Sequence, residues 1–448
     1  MALMISVSGI RGIFGTDLTP ENLARFTAAY GTWLKGGTVV LGRDSRVTGQ
    51  ICEDIVASTL MSVGCNVIKV GIVPTPTVAM GVIKYKASGG IIISASHNPA
   101  EWNALKLLNS TSEFMDAVQG SEMIAISESG EFNYQPYDKI GKLNTDENLL
   151  QDHIQAILDL PYIDTELIKS LDISVAIDAV NGAGSLAVPM LLEQLGVSKI
   201  HKIHCIPDGL FPHNPEPIPE NLTEICELVK KTNADLGVVT DPDADRLALV
   251  DDTGTLFGEE YTQATVFDFI LSKKPGATAT NLSSSRIADE VTEKYGQKCH
   301  RSAVGEINVV KKMQEVNATV GGEGSGGIIV PDLHYGRDAL VGIACVIQHL
   351  AEKKISSSAL RSSFTNYYMS KSKILLNDLG KDADEVLELV KSHYASLNPN
   401  TIDGVKVDFE EGWIHLRKSN TEPIIRIYSE GKSEEAAVAF AQKVKSII

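Results

Sequence analysis

Asp241, Asp243 and Asp245 alternate within five residues directly after the apolar run Leu236-Gly-Val-Val. Three carboxylates this close repel one another unless a hard cation sits among them, and an oxygen-only donor set suits Mg²⁺ or Mn²⁺. A calcium EF-hand loop fails on position, because Arg246 stands where glycine is required and Asp252 where glutamate is required. Three Asp oxygens leave such a site open to a phosphate oxygen, and Arg246 beside them can hold the same phosphate by a forked pair. The bland alternative is a solvated acidic turn, and placement at a strand end weighs against it.

Three further segments carry reactive types. Ser94-Ala-Ser96-His97-Asn98-Pro99 follows the apolar run Gly90-Ile-Ile-Ile; at a strand-to-helix turn the Ser96 hydroxyl is exposed and meets the positive end of the following helix. Ser96 or Asn98 acting only as a helix cap is the neutral reading. A Ser-His-Asp hydrolase is disfavoured, since Gly-x-Ser-x-Gly is absent and His97 is adjacent in sequence. Gly321-Gly-Glu323-Gly-Ser325-Gly-Gly327 permits close approach of backbone to a polar ligand, with Glu323 and Ser325 suited to sugar hydroxyls. Arg417-Lys-Ser419-Asn420-Thr421-Glu-Pro, with Arg426 shortly after, has the cations and hydroxyls of an anion nest.

Dinucleotide binding is the rival. Gly322 to Gly327 matches GxGxxG but leads into Ile328-Ile-Val-Pro instead of a helix. Gly182-Ala-Gly184-Ser-Leu-Ala187 follows a strand and opens a helix, yet Lys199 to His204 lacks the acidic residue that should close the next strand.

These segments need strands to hold them. Thr38–Gly42, a helix Gln50–Gly64 with apolar Ile51, Ile55, Leu60 and Val63, and Asn66–Val70 form a strand, helix, strand unit. The pattern recurs at Ser174–Asp178, Leu186–Leu195 and Lys199–Ile203, and again at Ala277–Asn281, Arg286–Tyr295 and Lys298–Arg301. Each unit continues into a strand ending in one of the first three loops, so internal repetition places them as three walls of one site. Beyond Ser370 the reading is a helix Ala383–Tyr394, strands Val405–Phe409, Trp413–Leu416 and Ile424–Tyr428, and a C-terminal helix with Ala437, Phe440, Ala441 and Val444 on one face. Short connections imply an antiparallel sheet. The expected domains are 1–150, 151–257, 258–370 and a smaller α+β domain 371–448, with the polar stretch Tyr134 to Asn148, the region Asp251 to Tyr261 and the vicinity of Ser370 as boundaries.

At 448 residues the chain has room for about three domains of ~150 residues. Its net charge of −17 opposes wrapping a nucleic acid, so an anionic metabolite must find local positive charge. No apolar run reaches the ~20 residues of a membrane span and the N-terminus lacks a signal-peptide layout, so a cytoplasmic protein is expected. Cys52, Cys65, Cys205, Cys226, Cys299 and Cys345 sit singly in apolar stretches, as reduced core thiols do.

Taken together, Ser94-Ala-Ser96-His97-Asn98-Pro99, Asp241-Pro-Asp243-Ala-Asp245-Arg246, Gly322-Glu323-Gly-Ser325-Gly and Arg417-Lys-Ser419-Asn420-Thr421-Glu-Pro resemble, in order and spacing, the four signature loops of the α-D-phosphohexomutase family. The resemblance implies three similar α/β domains with mixed sheets and a smaller fourth domain around a central cleft. It implies that Ser96 is the phosphoserine and that Asp241, Asp243 and Asp245 hold Mg²⁺, with a Ser96 phosphoryl oxygen completing the site. Arg11 matches the family's early arginine, which faces the transferring phosphate, and Asn103 and Lys106 match the segment where a lysine moves a proton. Glu323 and Ser325 would read the sugar, while Arg417, Ser419, Asn420, Thr421 and Arg426 would hold the phosphate that is not reacting.

The implied reaction is two phosphoryl transfers: phospho-Ser96 donates to a hexose monophosphate, a bisphosphate turns over in the cleft, and the other phosphate returns to Ser96. A hexose 1,6-bisphosphate is the implied priming activator, and a small sugar phosphate is the implied ligand. Gly327 departs from the pattern, since many members carry histidine there, so Lys106, His97 and His334 all stand as candidate bases. The run through Trp102-Asn-Ala-Leu-Lys106 and the glycine-rich loop look most like phosphoglucosamine mutases, with phosphoglucomutase/phosphomannomutase as the alternative and a non-catalytic sugar-phosphate sensor as the remote one.

Overall fold

The computed structural model describes residues 3–6, 9–376, 382–418 and 424–448. Four sheets follow one another along the chain. The first takes strands β1 (Met4–Ser6), β2 (Gly9–Ile13), β3 (Gly37–Arg43), β4 (Cys65–Ile72), β5 (Gly89–Ile93), β6 (Trp102–Leu108) and β7 (Leu143–Thr145), in the order β1-β2-β6-β5-β3-β4-β7. The second takes β8 (Ser174–Asp178), β9 (Lys199–Ile203), β10 (Leu236–Thr240) and β11 (Leu247–Asp251), ordered β11-β10-β8-β9. The third takes β12 (Thr278–Asn281), β13 (Cys299–Ser302), β14 (Val320–Glu323) and β15 (Gly327–Ile329), ordered β13-β12-β14-β15.

One four-strand pattern underlies all three: a first strand lies parallel to its two successors, and the third turns back into an antiparallel fourth. The serine, aspartate and glycine loops are the same connection, third strand to fourth, in each repeat. They are therefore equivalent in the fold as well as in sequence. β5, β8 and β10 are buried at every residue, as strands covered on both faces must be.

The fourth sheet, β16 (Tyr368–Leu375), β17 (Val405–Phe409), β18 (Gly412–Lys418) and β19 (Ile424–Gly431), runs β16-β19-β18-β17 and is antiparallel throughout. Its helix Glu434–Lys445 buries Ala437, Phe440, Ala441 and Val444 as expected, with Ser433 capping the Ala436 amide.

Several expectations change. The serine loop runs into strand β6, not into a helix, so no helix follows Ser96 for it or Asn98 to cap and the capping alternative lapses. The first repeat's helix, Gly49–Ser62, buries Cys52, Glu53, Val56, Ala57 and Leu60, while Ile51 faces solvent. The stretch 134–148, expected as a boundary, contributes a strand: β7 extends the first sheet by pairing with β4. Residue 150 lies inside the helix Leu149–Leu158 and residue 370 inside β16, whose polar Ser370-Lys371-Ser372 run forms a strand paired along its length with β19. All six cysteines are free, four of them buried. No described helix is long and apolar enough to cross a membrane.

The main apolar cluster joins side chains of the first three repeats. At its centre the helix Ala339–Lys353 is apolar on nearly every side and buried from Ala339 to Ala351. Asp338 caps it, accepting from the Leu340 and Val341 amides at 2.8 and 3.3 Å. A rigid element thus begins one residue after Arg337, a member of the site described below.

The first two repeats also meet through the segment after β9. Gly209 has φ 71°, and a Cβ there would fall 2.2 Å from the Ser45 carbonyl oxygen and 2.7 Å from the Arg46 Cα. Gly209→Ala is expected to cost about 1–3 kcal/mol through this clash, read as a thermal midpoint several degrees lower; an unchanged midpoint would contradict the packing.

Candidate active site

The serine and aspartate loops meet. Ser96, at the end of β5, is 3% exposed and takes a left-handed backbone with φ 50°, an uncommon state for a non-glycine residue. Its hydroxyl donates to Asp241 Oδ2 at 2.6 Å and lies 3.4 Å from His97 Nδ1. The Ser96 amide donates to Ser94 Oγ at 3.0 Å, and Ser94 Oγ donates to Asp44 Oδ2 at 2.7 Å.

Arg46 is the spool of this loop. It is 1% exposed and donates to the carbonyls of Ser96 (2.6 Å), Asn98 (2.7 Å), Pro99 (2.6 Å) and Trp102 (3.0 Å), with its Nε on Asp44 at 3.0 Å. Arg11, on β2, donates to the Asn98 side chain and so faces the same loop. Asn103 is fully buried and donates to Thr48 at 2.9 Å, which is a packing role.

Asp241, Asp243 and Asp245 are fully buried, with one oxygen from each within 4.8 Å of the others. Asp241 Oδ1 accepts from the Asp245 and Arg246 amides at 3.2 Å, which folds the loop around the carboxylates. Lys106 Nζ donates to Asp243 Oδ2 and, at 3.3 Å, to Asp245 Oδ2; Thr75 donates to Asp243. Asp243 Oδ1 and Asp245 Oδ1 are buried with no hydrogen-bond partner. Two orphaned carboxylate oxygens beside a third that faces Ser96 make the donor set of a hard divalent cation, so the residues present fit Mg²⁺.

The electrostatics follow from burial. Desolvation and the neighbouring Asp245 and Asp243 push the Asp241 carboxyl well above the ordinary range. Burial would raise Asp245 too, but Arg337, Lys106 and Arg246 outweigh it and hold that carboxyl below its usual value. Burial works against the Lys106 ammonium, and Asp243 and Asp245 more than offset it, so Lys106 stays protonated. Burial, with Arg246 and Arg11 nearby, pulls the His97 imidazole down to about 2, so it is neutral and a weak base. His334 gives its Nε2 to Asp338 at 3.2 Å, in a buried cluster with His153.

A cavity of about 300 Å³ opens beside this centre, lined among others by Arg246, Glu260, Glu323, Ser325, Arg417 and Arg426. Glu323 closes β14; its Oε1 accepts from Asn281 Nδ2 (3.0 Å) and the Gly305 amide (3.1 Å), its Oε2 from Arg337 (3.1 Å). Arg337 also reaches Asp245 at 2.7 Å and Glu306 at 2.9 Å, tying the glycine loop to the aspartates. Arg417 and Arg426 are direct cross-strand partners on β18 and β19, and Arg417 Nε stands 2.7 Å from Asp403. Like charges in that relation repel unless an anion lies between them. Ser419, Asn420 and Thr421 lie outside the described residues.

The structure thus brings Ser96, Arg11, His97, Lys106 and the three aspartates together, and gathers Arg246, Glu323, Ser325, Arg417 and Arg426 around the cavity. Sequence reasoning passed over Arg46, Thr75 and Arg337. Arg46 follows the first strand of its repeat, and the rule that ligands gather at strand ends would have flagged it. Arg337 follows no strand and has no such signal.

Three such loops on repeated α/β sheets set a hydroxyl beside a cation cradle at the edge of a polar cavity, and comparison with known proteins places the arrangement. Profiles of phosphoglucomutase/phosphomannomutase alpha/beta/alpha domains I, II and III match residues 3–133, 151–254 and 259–368, and that of the C-terminal domain matches 373–447. The chain is 37% identical over 445 residues to a phosphoglucomutase/phosphomannomutase of Thermococcus kodakarensis, covering 98% of this chain and 96% of that one. It is 35% identical over 441 residues to a probable phosphoglucosamine mutase of Methanopyrus kandleri, again covering 98% and 96%. A solved phosphoglucomutase/phosphomannomutase family protein of Burkholderia thailandensis superposes with a TM-score of 0.86 at 24% identity, covering 99% of this chain and 97% of that one. The chain belongs to the phosphoglucomutase/phosphomannomutase family, the α-D-phosphohexomutases, and is a phosphomutase, an isomerase.

Removing the spool tests this geometry. Arg46→Met leaves Asp44 buried without its cation and is expected to cost about 3–5 kcal/mol; adding Asp44→Asn should return part of that loss. Equal unfolding midpoints for Arg46→Met and the wild type would contradict the role given to Arg46.

Proposed function

We propose that the protein interconverts a hexose 6-phosphate and a hexose 1-phosphate through phospho-Ser96 and a bisphosphate intermediate, with glucosamine phosphate as the preferred substrate. The observation that carries the reading is Ser96 Oγ at 2.6 Å from Asp241 Oδ2, beside the orphaned oxygens of Asp243 and Asp245. A binding protein needs no buried hydroxyl next to a cation cradle, which weighs against a sensor.

Asp241, Asp243 and Asp245 would hold Mg²⁺, whose bound charge offsets that of the phosphoryl group. In the forward direction the bond from phosphorus to Ser96 Oγ breaks as one forms to the free sugar hydroxyl. The sugar bisphosphate then turns over, and its other phosphate returns to Ser96. Arg11 and Arg246 stabilise charge on the transferring group, which is the main demand of such chemistry. Lys106, held as an ammonium, acts as a cation or proton donor before it can act as a base. His97 is neutral but weakly basic; a loose transition state asks little of a base until transfer is advanced.

Glu323 and Ser325 would orient the sugar, while Arg417, Ser419, Asn420, Thr421 and Arg426 would hold the resting phosphate. A phosphate between Arg417 and Arg426 relieves their repulsion. Glu323 could pair with a substrate ammonium or accept from a hydroxyl, and the amino-sugar reading is in keeping with the Methanopyrus kandleri relative. The Thermococcus kodakarensis relative supports the second reading, glucose or mannose phosphate. A hexose 1,6-bisphosphate would prime Ser96.

Phosphorus NMR of the protein with Mg²⁺, a trace of hexose 1,6-bisphosphate, and the 6-phosphates of glucosamine, glucose and mannose in competition tests the reading. A sugar 1-phosphate signal is expected, growing first from glucosamine 6-phosphate. First conversion of glucose or mannose 6-phosphate would overturn the amino-sugar preference, and no conversion of any would overturn the assignment. Ser96→Ala should lose turnover to background while still binding sugar phosphate by calorimetry; retained turnover would remove Ser96 from its role.

A further inference from the structure

Apart from the aspartate triad, a second set of metal-type donors converges at the carboxyl end of β8. His204 Nδ1 and His213 Nε2 stand 3.0 and 3.1 Å from one and the same oxygen, Asp178 Oδ2. The three ligand atoms lie within 4.8 Å of one another. The Asp178 side chain is 1% exposed and each imidazole 14%, so the cluster is largely shielded from water. The other Asp178 oxygen accepts from the Val180 amide at 2.9 Å, which fixes the carboxylate and leaves Oδ2 to the two rings.

The hydrogen bonding of His213 is the deciding feature. Its Nδ1 lies 2.8 Å from the Asn214 carbonyl oxygen, which can only accept, so Nδ1 carries the hydrogen. In the neutral ring Nε2 then presents a lone pair to a carboxylate oxygen 3.1 Å away, and two acceptors at that distance repel. Something positive has to stand there, either a second proton on His213 or a cation shared by all three groups.

A zinc-type ion suits the space. Zinc bonds of about 2.0–2.1 Å in tetrahedral geometry set ligand atoms about 3.3 Å apart, within a few tenths of an ångström of the two separations from Asp178 Oδ2, and the third lies inside 4.8 Å. Two imidazoles and one carboxylate select a borderline ion over Mg²⁺, which takes oxygen. Outer partners are also present: the Asn214 carbonyl orients His213, and Glu224 Oε2 lies 3.5 Å from His204 Nε2.

We propose that Asp178, His204 and His213 form a second metal site, for a zinc-class divalent ion with its fourth position open to water, which staples the segment 204–213 to β8. That segment forms the seam between the first two repeats. Its Ile206 amide and Leu210 carbonyl are held by the Asn181 side chain at 3.0 Å, and the Asn181 carbonyl accepts from Ser45 Oγ at 2.6 Å. Phe211 lies under the Arg46 guanidinium at 4.9 Å, and Arg46 carries the Ser96 loop. The ion would order the support of the serine loop without touching the reaction. Binding at His204 Nδ1 requires the hydrogen there to leave, to Nε2 beside Glu224 or, from a doubly protonated ring, to solvent.

Cobalt(II), added to metal-stripped protein kept saturated with Mg²⁺, is the probe. One equivalent is expected to bind with visible d–d absorption, to persist in Asp243→Asn, and to weaken by at least about 100-fold in His213→Gln, beyond the effect of losing an outer partner. Equal cobalt binding by His213→Gln and the wild type, or loss of all cobalt absorption in Asp243→Asn, would overturn the proposal. Should His213→Gln fail to fold, the wild type decides alone. One equivalent of Zn²⁺ at neutral pH should shift the ring NMR signals of two histidines, and unmoved ring signals would overturn the site.

Discussion

Three buried carboxylates set within 4.8 Å of one another are the constraint around which the rest of the molecule is arranged. Such a group repels itself and has lost its hydration, so the fold must return positive charge to it from several directions. Lys106 comes from the first repeat and Arg337 from the third, while the aspartates belong to the second. Each cation is itself placed by packing: Lys106 by the fully buried strand β6, Arg337 by the buried helix that starts after Asp338. Even so, two oxygens remain unpaired beside the Asp241 oxygen that faces Ser96, and this incomplete compensation is what makes the centre a cation cradle instead of a closed ion-pair network.

Repetition explains how the parts reach one another. A connection from third to fourth strand, made three times, sets three different loop chemistries in equivalent places: a hydroxyl, a carboxylate triad and a glycine-rich turn. The glycines of the third are dictated by close approach. A Cβ on Gly322 would meet the Gly327 carbonyl at 2.3 Å and one on Gly326 the Leu247 carbonyl at 2.2 Å, so the loop lies directly on the start of β11, just past the aspartates.

Much of this was legible in the sequence because the governing signals are local. Ser174–Asp178 and Lys199–Ile203 read as strands from unbroken or alternating apolar residues, and the structure has both at those bounds. The aspartate loop announced itself by charge density at a strand end. What escaped was set by tertiary contact. The serine loop was read as entering a helix, whereas Trp102–Leu108 is a strand antiparallel to β5. A short apolar run carries no periodicity that separates the two. Arg46 and Arg337 were invisible because each acts across a large sequence separation, Arg46 on carbonyls 50 to 56 residues away and Arg337 on Asp245, 92 residues away. β7 and β16 were hidden because edge strands need no apolar alternation.

The proposal that the cradle exists to serve phosphoryl transfer at Ser96 is tested most directly by following the protein's own mass. Intact mass spectrometry and peptide mapping after incubation with hexose 1,6-bisphosphate and Mg²⁺ should show one added phosphoryl group, located on Ser96. It should be lost to the sugar when a hexose monophosphate is added and not form when the divalent ion is chelated. A protein that turns over sugar phosphate while Ser96 stays unmodified, or that carries the phosphoryl group on another residue, would contradict the account.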